Sequence, residues 1–208
     1  FYIPLFTALP LEIIAIILYI KALKISPLSL TLPFLSLTPI FLIVVPYILL
    51  GEKVSFLGAV GVLFIAAGGY TLNLRELKKG IFEPFLAIKR EKGSVFMIIV
   101  SFIFSFTAPL GKSAIEHSSP IFFAVTYITA LVALLTPIAL YKGRDEVNLI
   151  FRNGAMKSSI IPGILQSAVI ISYMIAMSLT KVAYVISVKR LSLLIGVFYG
   201  YLLFKESG

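Results

Sequence analysis

Residues 47–53 read Tyr-Ile-Leu-Leu-Gly-Glu-Lys, and residues 201–207 read Tyr-Leu-Leu-Phe-Lys-Glu-Ser. The two stretches lie 154 positions apart, and at this offset residues 1–54 align with residues 155–208 without gaps. The identities include Tyr19 with Tyr173, Ala22 with Ala176, Leu37 with Leu191, Tyr47 with Tyr201, Leu49 with Leu203 and Glu52 with Glu206. Leucine matches mean little in an apolar sequence, but ungapped Tyr, Ala and Glu matches indicate an internal repeat.

The composition indicates a membrane protein. Apolar residues make up 60% of the 208 positions and charged residues 13%, whereas a soluble domain has about 45–50% and about 25%. The apolar residues form seven blocks, each close to the roughly 20 residues that a helix needs to cross a bilayer. These blocks cover about 3–23, 27–50, 54–72, 94–111, 120–141, 158–179 and 182–204. The sequence therefore predicts an all-α, polytopic transmembrane helix bundle.

The order of the spans predicts an inverted repeat. The 154-residue offset places the first two spans on the sixth and seventh, so that five spans separate equivalent helices. Because five is odd, equivalent helices cross the membrane in opposite directions, as in many secondary transporters. The third span has no partner after Glu206. We therefore expect seven helices of an inverted 5+5 arrangement, in a fragment that lacks the first two helices and the last one.

The same comparison divides the chain into three parts. Residues 1–73 hold the last three helices of the first repeat, residues 74–93 form a linker, and residues 94–208 hold the first four helices of the second repeat. Within the linker, the apolar stretch 83–90 begins with Glu-Pro and ends with Lys-Arg. That pattern is typical of an interfacial helix, and an ordinary solvated linker is the alternative.

Each repeat resembles an EamA domain of the drug/metabolite transporter superfamily. In the first repeat the resemblance lies in residues 19–26, Leu37-Thr38-Pro39, residues 50–54, Gly58, Gly61 and Gly68-Gly69. In the second it lies in residues 176–180, residues 187–192 with Lys189-Arg190, Gly196, Gly200 and residues 204–206. Leu193 stands where the first repeat has Pro39. The resemblance implies a multi-pass transporter of the cell membrane that carries a small molecule.

Two adjacent cations are candidates for a substrate site. Lys189 and Arg190 lie seven and eight residues inside the last span, about 11 Å from its start at ~1.5 Å per residue. A cation at that depth costs about 2.5–3.5 kcal/mol on insertion scales. One of the two is expected to face a transport cavity and bind an anionic or polar substrate. The alternatives are snorkelling to the headgroups and a structural ion pair.

Other polar residues inside the spans complete the predicted lining. Glu12 lies in the middle of the first span, and the repeat pairs it with Gln166, as it pairs Tyr19 with Tyr173. A buried carboxylate could couple proton movement to transport. It could equally serve as the fixed counter-ion of Lys189 or Arg190, or simply be tolerated at a cavity wall. Glu52 and Glu206 end their helices, where they are expected to interact with the positive end of the next helix.

The sequence shows no pattern for a metal, a cofactor or nucleic acid. It contains no cysteine and one histidine, His117, without a patterned set of carboxylates. Gly111-Lys112-Ser113 resembles the end of a phosphate-binding loop, but Phe106 stands where that motif requires glycine. The net charge of +9 fits basic loops on anionic lipid headgroups. We predict no cofactor and no metal, a small molecule and the bilayer as partners, and protons as a further partner if transport is coupled.

The loop charges give an orientation. One side of the membrane receives Lys21, Lys24, Arg75, Lys78, Lys79, Lys89, Arg90, Lys92, Lys142, Arg144, Arg152, Lys157 and Lys205, and the other only Lys53, Lys112 and Lys181. The positive-inside rule places the first set in the cytoplasm. Ten-helix members of the family that the chain resembles usually have both termini in the cytoplasm. That arrangement would place the larger set of Lys and Arg residues outside.

These features favour a secondary transporter that works by alternating access, as an exporter or permease of a small metabolite or drug. A flippase for lipids or lipid-linked sugars is the alternative within transport. An intramembrane enzyme is disfavoured because no nucleophile, base and metal-ligand cluster lies at one depth. A non-transporting assembly or receptor subunit remains the alternative of another class.

Overall fold

The computed structural model describes residues 1–26, 31–71, 92–143 and 155–192, and every regular element in these ranges is a helix. Within these ranges, seven α-helices longer than a single turn follow one another. They are α1 (Tyr2–Ile25), α2 (Thr38–Leu50), α3 (Phe56–Thr71), α4 (Lys92–Glu116), α5 (Pro120–Lys142), α6 (Ile160–Leu179) and α7 (182–192). A 3₁₀ helix (Leu32–Leu37) precedes α2, and a single turn (Ala155–Ser158) precedes α6. The all-α bundle predicted from the sequence is confirmed.

Four of the helices in the described ranges are long and apolar enough to cross a membrane. They are Tyr2–Ile25, Lys92–Glu116, Pro120–Tyr141 and Ile160–Leu179, with two shorter apolar helices at Phe34–Leu50 and Phe56–Gly68. The predicted linker helix at 83–90, the end of the seventh span and Glu206 lie outside the described residues. The four long apolar helices make this chain a multi-pass membrane protein.

Local sequence explains where several helices begin and end. Ser119 caps α5, because its side chain accepts a hydrogen bond from the Phe122 amide at 3.2 Å, and Pro120 takes the first helical position. Helix α2 ends at Leu50, and the φ of 69° at the following Gly51 is left-handed, a conformation that favours glycine. Such caps keep the connections short and hold the helix ends close together.

The second predicted span is divided into two helices. The 3₁₀ helix changes to α-helix at Thr38, and Pro39 follows in the first turn of α2. Proline has no amide hydrogen to donate, so it fits only where the preceding turn does not need that bond. The Thr38 hydroxyl donates instead to the Leu35 carbonyl at 2.8 Å. The junction thereby leaves Thr38 buried in the middle of the bundle.

Helix α4 lies at the centre of the bundle. It packs most extensively along α1 and also contacts the 3₁₀ helix, α2, α5 and α6. Three alanines of α1 spaced seven residues apart, Ala8, Ala15 and Ala22, are fully buried. Small residues at one face let helix backbones approach closely in membranes. This close pair of helices forms one wall of the site described next.

The outer surface is apolar. On α6, for example, Ile161, Ile164 and Leu165 are each more than 60% exposed. In water such a surface would be unstable, but lipid tails solvate it without cost. The interior of this bundle is correspondingly where polar groups collect.

Candidate functional site

A cavity of about 140 Å³ lies between six helices, α1, α2, α4, α5, α6 and α7. The apolar part of its wall includes Phe104, Phe123, Met174, Met177 and Ile186. The polar part consists of Glu12, Thr38, Thr107, Tyr127, Tyr173, Lys189 and Arg190. The cavity thus brings one carboxylate and two cations together inside an apolar bundle.

Glu12 reaches the cavity from the middle of α1. Its carboxylate interacts with the hydroxyl groups of Thr107 and Tyr127 and with the charge of Lys189. Two hydroxyl donors and a cation are the partners that make a carboxylate tolerable inside a membrane protein. The residue therefore links α1 to α4, α5 and α7.

Lys189 and Arg190 both line this cavity, although we expected only one of them to do so. Their head groups have different partners. The Lys189 ammonium lies 4.3 Å from the centre of the Tyr173 ring and is attracted to Glu12. The Arg190 Nη2 donates to the Thr38 hydroxyl at 3.0 Å. Successive helical residues point about 100° apart, so the two cations reach different partners around one cavity.

A chain of hydrogen bonds that begins at Arg190 crosses the bundle. The Thr38 hydroxyl that accepts from Arg190 lies 3.2 Å from the Ser101 hydroxyl, which donates to the Phe34 carbonyl at 2.8 Å. The series joins α7, α2, α4 and the 3₁₀ helix. The Nε of Arg190 is buried and has no hydrogen-bond partner among the described residues. One donor of this cation is therefore unpaired within this part of the chain.

The remaining predicted lining residues lie elsewhere. Gln166 is exposed on α6 and is not part of the cavity wall. Tyr19 packs against a second apolar cluster and interacts with Arg190 only through electrostatics. The repeat therefore pairs Glu12 with a residue in a different environment, since equivalent positions need not face the same cavity.

Glu52 faces a different helix from the one expected. Instead of the following helix α3, its carboxylate contacts α7 and α4. Glu52 forms a buried ion pair with Lys112 and accepts a hydrogen bond from the Val182 amide at 3.1 Å. The equivalent Glu206 lies outside the described residues.

Sequence reasoning missed Lys112, Thr38, Thr107 and Tyr127. For Lys112 a signal existed, because a lysine in the last turns of an apolar helix needs a carboxylate partner. Glu52 is a carboxylate on the same side of the membrane. The three hydroxyl residues gave no such signal, since Thr and Tyr are common in apolar helices.

The profile of the EamA-like transporter family matches residues 91–207, more than half of the chain. The match covers α4 to α7, which supply most of the cavity wall. No significant match to the chain was found among curated proteins or solved structures. A family match of this extent, on an all-α membrane bundle with a polar cavity, points to a transporter rather than an enzyme. The chain belongs to the EamA-like transporter family, within the drug/metabolite transporter superfamily.

Proposed function

We propose that this protein is a secondary transporter that exposes the cavity to each side of the membrane in turn. The observation that carries the proposal is the meeting of Glu12, Lys189 and Arg190 in one cavity. Charged residues inside a membrane are costly and typically mark substrate or ion pathways. In the proposed mechanism two inverted halves, with residues 1–73 in the first and 94–208 in the second, rock around this cavity.

The chemistry of the wall favours a small anionic or zwitterionic metabolite. Lys189 and Arg190 supply two positive charges against the single negative charge of Glu12. The volume of about 140 Å³ is below the roughly 300–1,000 Å³ of sites for drug-sized ligands. Phe123 and Met177 would contact the apolar part of the substrate.

Among the described residues, Glu12 is the carboxylate of the cavity wall that could couple transport to protons. As a coupling group it would take up and release a proton during each transport cycle. As a counter-ion it would stay charged beside Lys189. The two roles differ in what Glu12→Gln does to the response of transport to a pH gradient.

Flux into vesicles tests the proposal. The full-length protein is reconstituted and assayed with labelled amino acids, sugar phosphates, nucleotides and a cationic drug, with and without a pH gradient. We expect uptake of an anionic or zwitterionic probe, and its loss in Lys189→Gln and Arg190→Gln. Failure of every probe, after protein binding has been screened by thermal shift with the same compounds, would contradict a transporter.

Glu12→Gln then separates the two roles of the carboxylate. If Glu12 couples protons, the variant still exchanges substrate but no longer responds to the pH gradient. The matched control is Glu116→Gln, because Glu116 is exposed at the end of α4 and does not line the cavity. Full pH-driven uptake by Glu12→Gln would rule out coupling through this residue.

We also propose the cell membrane as the location, with the connections rich in Lys and Arg in the cytoplasm. The chain has no native cysteine, so single cysteines can report the side of each connection. Lys24→Cys and Lys53→Cys replace exposed residues on opposite sides. An impermeant thiol reagent added to whole cells should label Lys53→Cys, and labelling of Lys24→Cys instead would reverse the orientation.

A further inference from the structure

Three connections meet at one side of the bundle. Loops alternate sides, so residues 51–55, 117–119 and 180–181 emerge on the same side of the membrane. There Glu52 and Lys112 form their ion pair, with side chains only 13% and 8% exposed. A buried charge is stable only if it is paired and its other hydrogen-bonding positions are filled.

The backbone of the α6–α7 connection fills those positions. Lys112 Nζ donates to the Thr180 carbonyl at 2.7 Å, and Glu52 Oε2 accepts from the Val182 amide at 3.1 Å. Lys181 provides the carbonyl that begins α7, accepting from the Val185 amide at 3.2 Å. Glu52 therefore sits at the positive end of α7, where a carboxylate is stabilised. The two charges tie α2, α4 and α7 to one point.

A second set of contacts reinforces this point. The Tyr184 hydroxyl lies 3.2 Å from the Ser55 amide, which donates to it, and 3.1 Å from the Ser55 hydroxyl. Lys181 Nζ donates to the Lys53 carbonyl at 2.5 Å. Residues 52–55 are thus bound along the start of α7. Residues 52–55 and 180–184, which are far apart in sequence, together with Lys112 form what we call the layer.

This layer lies at one end of the cavity. On α6, Met177 of the cavity wall lies three residues before Thr180. On α4, the wall residues Ala108 and Gly111 precede Lys112 and Ile115 follows it, so the ion pair lies beside this end of the wall. On α7, Ile186 of the wall lies four residues from Val182. Three or four residues are about one helical turn. A substrate that left the cavity toward this side would pass close to the groups that the layer joins.

We propose that the contact of Glu52 and Lys112 with the Thr180–Val182 backbone is a latch that closes this side of the cavity and opens in each transport cycle. The inference rests on the proposed transport function. An ion pair suits a latch because it holds firmly while it is dry, and water entering the open state hydrates both charges. The latch is a contact between helices that the proposed rocking motion moves apart.

Thiol labelling of a cavity residue tests the latch without a known substrate. Met177→Cys introduces a cysteine at a wall position that is 1% exposed, in a 208-residue sequence that has none; any cysteine elsewhere in the full-length protein is replaced by serine. In reconstituted full-length protein, an impermeant methanethiosulfonate should label it slowly. Adding Glu52→Gln should raise the labelling rate by at least about tenfold, because removing one partner of a buried pair is strongly destabilising.

Glu116→Gln is the matched control for this change. Glu116 lies on the same side and 4.0 Å from Lys112, but its side chain is 50% exposed. It should leave the labelling rate of Met177→Cys within about twofold, since exposed pairs contribute little. Equal rates in the Glu52→Gln and Glu116→Gln proteins would overturn the latch.

A crosslink keeps the test decisive if Glu52→Gln does not fold. Ser55→Cys with Tyr184→Cys, joined by a short bifunctional thiol reagent, locks the layer and leaves the ion pair intact. We expect loss of uptake of any probe that the native protein transports, recovery after reduction, and no loss in Ser55→Cys alone. Native protein that transports no probe would sink the proposed function, whereas unchanged transport after crosslinking would sink only the latch.

Discussion

The ammonium of Lys189 lies 4.3 Å from the centre of the Tyr173 ring, across the cavity wall formed by α6 and α7. The ring face attracts the cation, and this attraction is worth about 2 kcal/mol when the pair is shielded from water. Tyr173→Leu should therefore destabilise the folded protein by about 1–2 kcal/mol, and Tyr173→Phe by much less. Chemical denaturation in micelles checks both, and equal losses in the two variants would exclude the ring as the reason.

Glu12 and Lys189 should be energetically coupled. Each contributes to the electrostatic environment of the other, and contacting charged residues typically show coupling energies of about 0.5–3 kcal/mol. In a double-mutant cycle, Glu12→Gln with Lys189→Gln should cost less than the sum of the single changes. Denaturation of the four proteins measures this, and strict additivity would remove Glu12 as the counter-ion of Lys189.

The Thr38 hydroxyl should matter for stability because it serves Arg190. Thr38→Val removes the acceptor at 3.0 Å from Nη2 and leaves a buried donor unsatisfied, at a cost of about 1–3 kcal/mol. Thr38→Ser keeps the hydroxyl and should be close to neutral.

Thr7→Val is the matched control, since the Thr7 hydroxyl is exposed and bonds only within its own helix, to the Ile3 and Pro4 carbonyls. The three variants can be compared by thermal unfolding in one detergent. A Thr7→Val loss as large as that of Thr38→Val would mean that Arg190 is not the cause.

Two glycines of α3 should respond in opposite ways to alanine. A Cβ on Gly58 would overlap the Tyr184 hydroxyl, whereas a Cβ on Gly61 would meet nothing within 4 Å. Gly61→Ala should therefore be neutral or stabilise the helix by about 0.5–1 kcal/mol. Gly58→Ala must push Tyr184 away from Ser55 and should destabilise the protein.

Tyr184→Ala supplies the check on this prediction. In that background nothing of the Tyr184 ring remains near Gly58, so Gly58→Ala should lose most of its effect. The unfolding temperature of the single and double variants decides the matter, and a penalty that persists without the ring would point to α3 itself.

The fold could be predicted from the sequence because apolar blocks of this length, in so apolar a chain, form transmembrane helices. The predicted spans 3–23 and 120–141 fall within a few residues of Tyr2–Ile25 and Pro120–Lys142. The division of the second span at Thr38 was not predicted, because it depends on a hydroxyl bond within the chain as well as on Pro39. The inverted arrangement of the two repeats remains a prediction.

The residues of the site could be predicted from the sequence only where a charge stood out in an apolar span. Lys189, Arg190 and Glu12 stand out in apolar spans, and the structure brings them together. Tyr127 and Thr107 do not stand out, because their role depends on the rotation of α5 and α4 about their axes. Lys112 and Glu52 are separated by 60 positions, and only tertiary packing pairs them.

The contact at Thr180 and Val182 uses backbone atoms alone on the α7 side. Any residue can supply the carbonyl, so the exposed position 180 should vary freely among related sequences. Val182 is fully buried in the apolar core and should stay apolar, while Glu and Lys are retained together at 52 and 112. Proline at 182 is the exception: it suits the first position of a helix but has no amide hydrogen for the carboxylate. Related chains should therefore lack proline at position 182, although proline is compatible with the first turn of a helix.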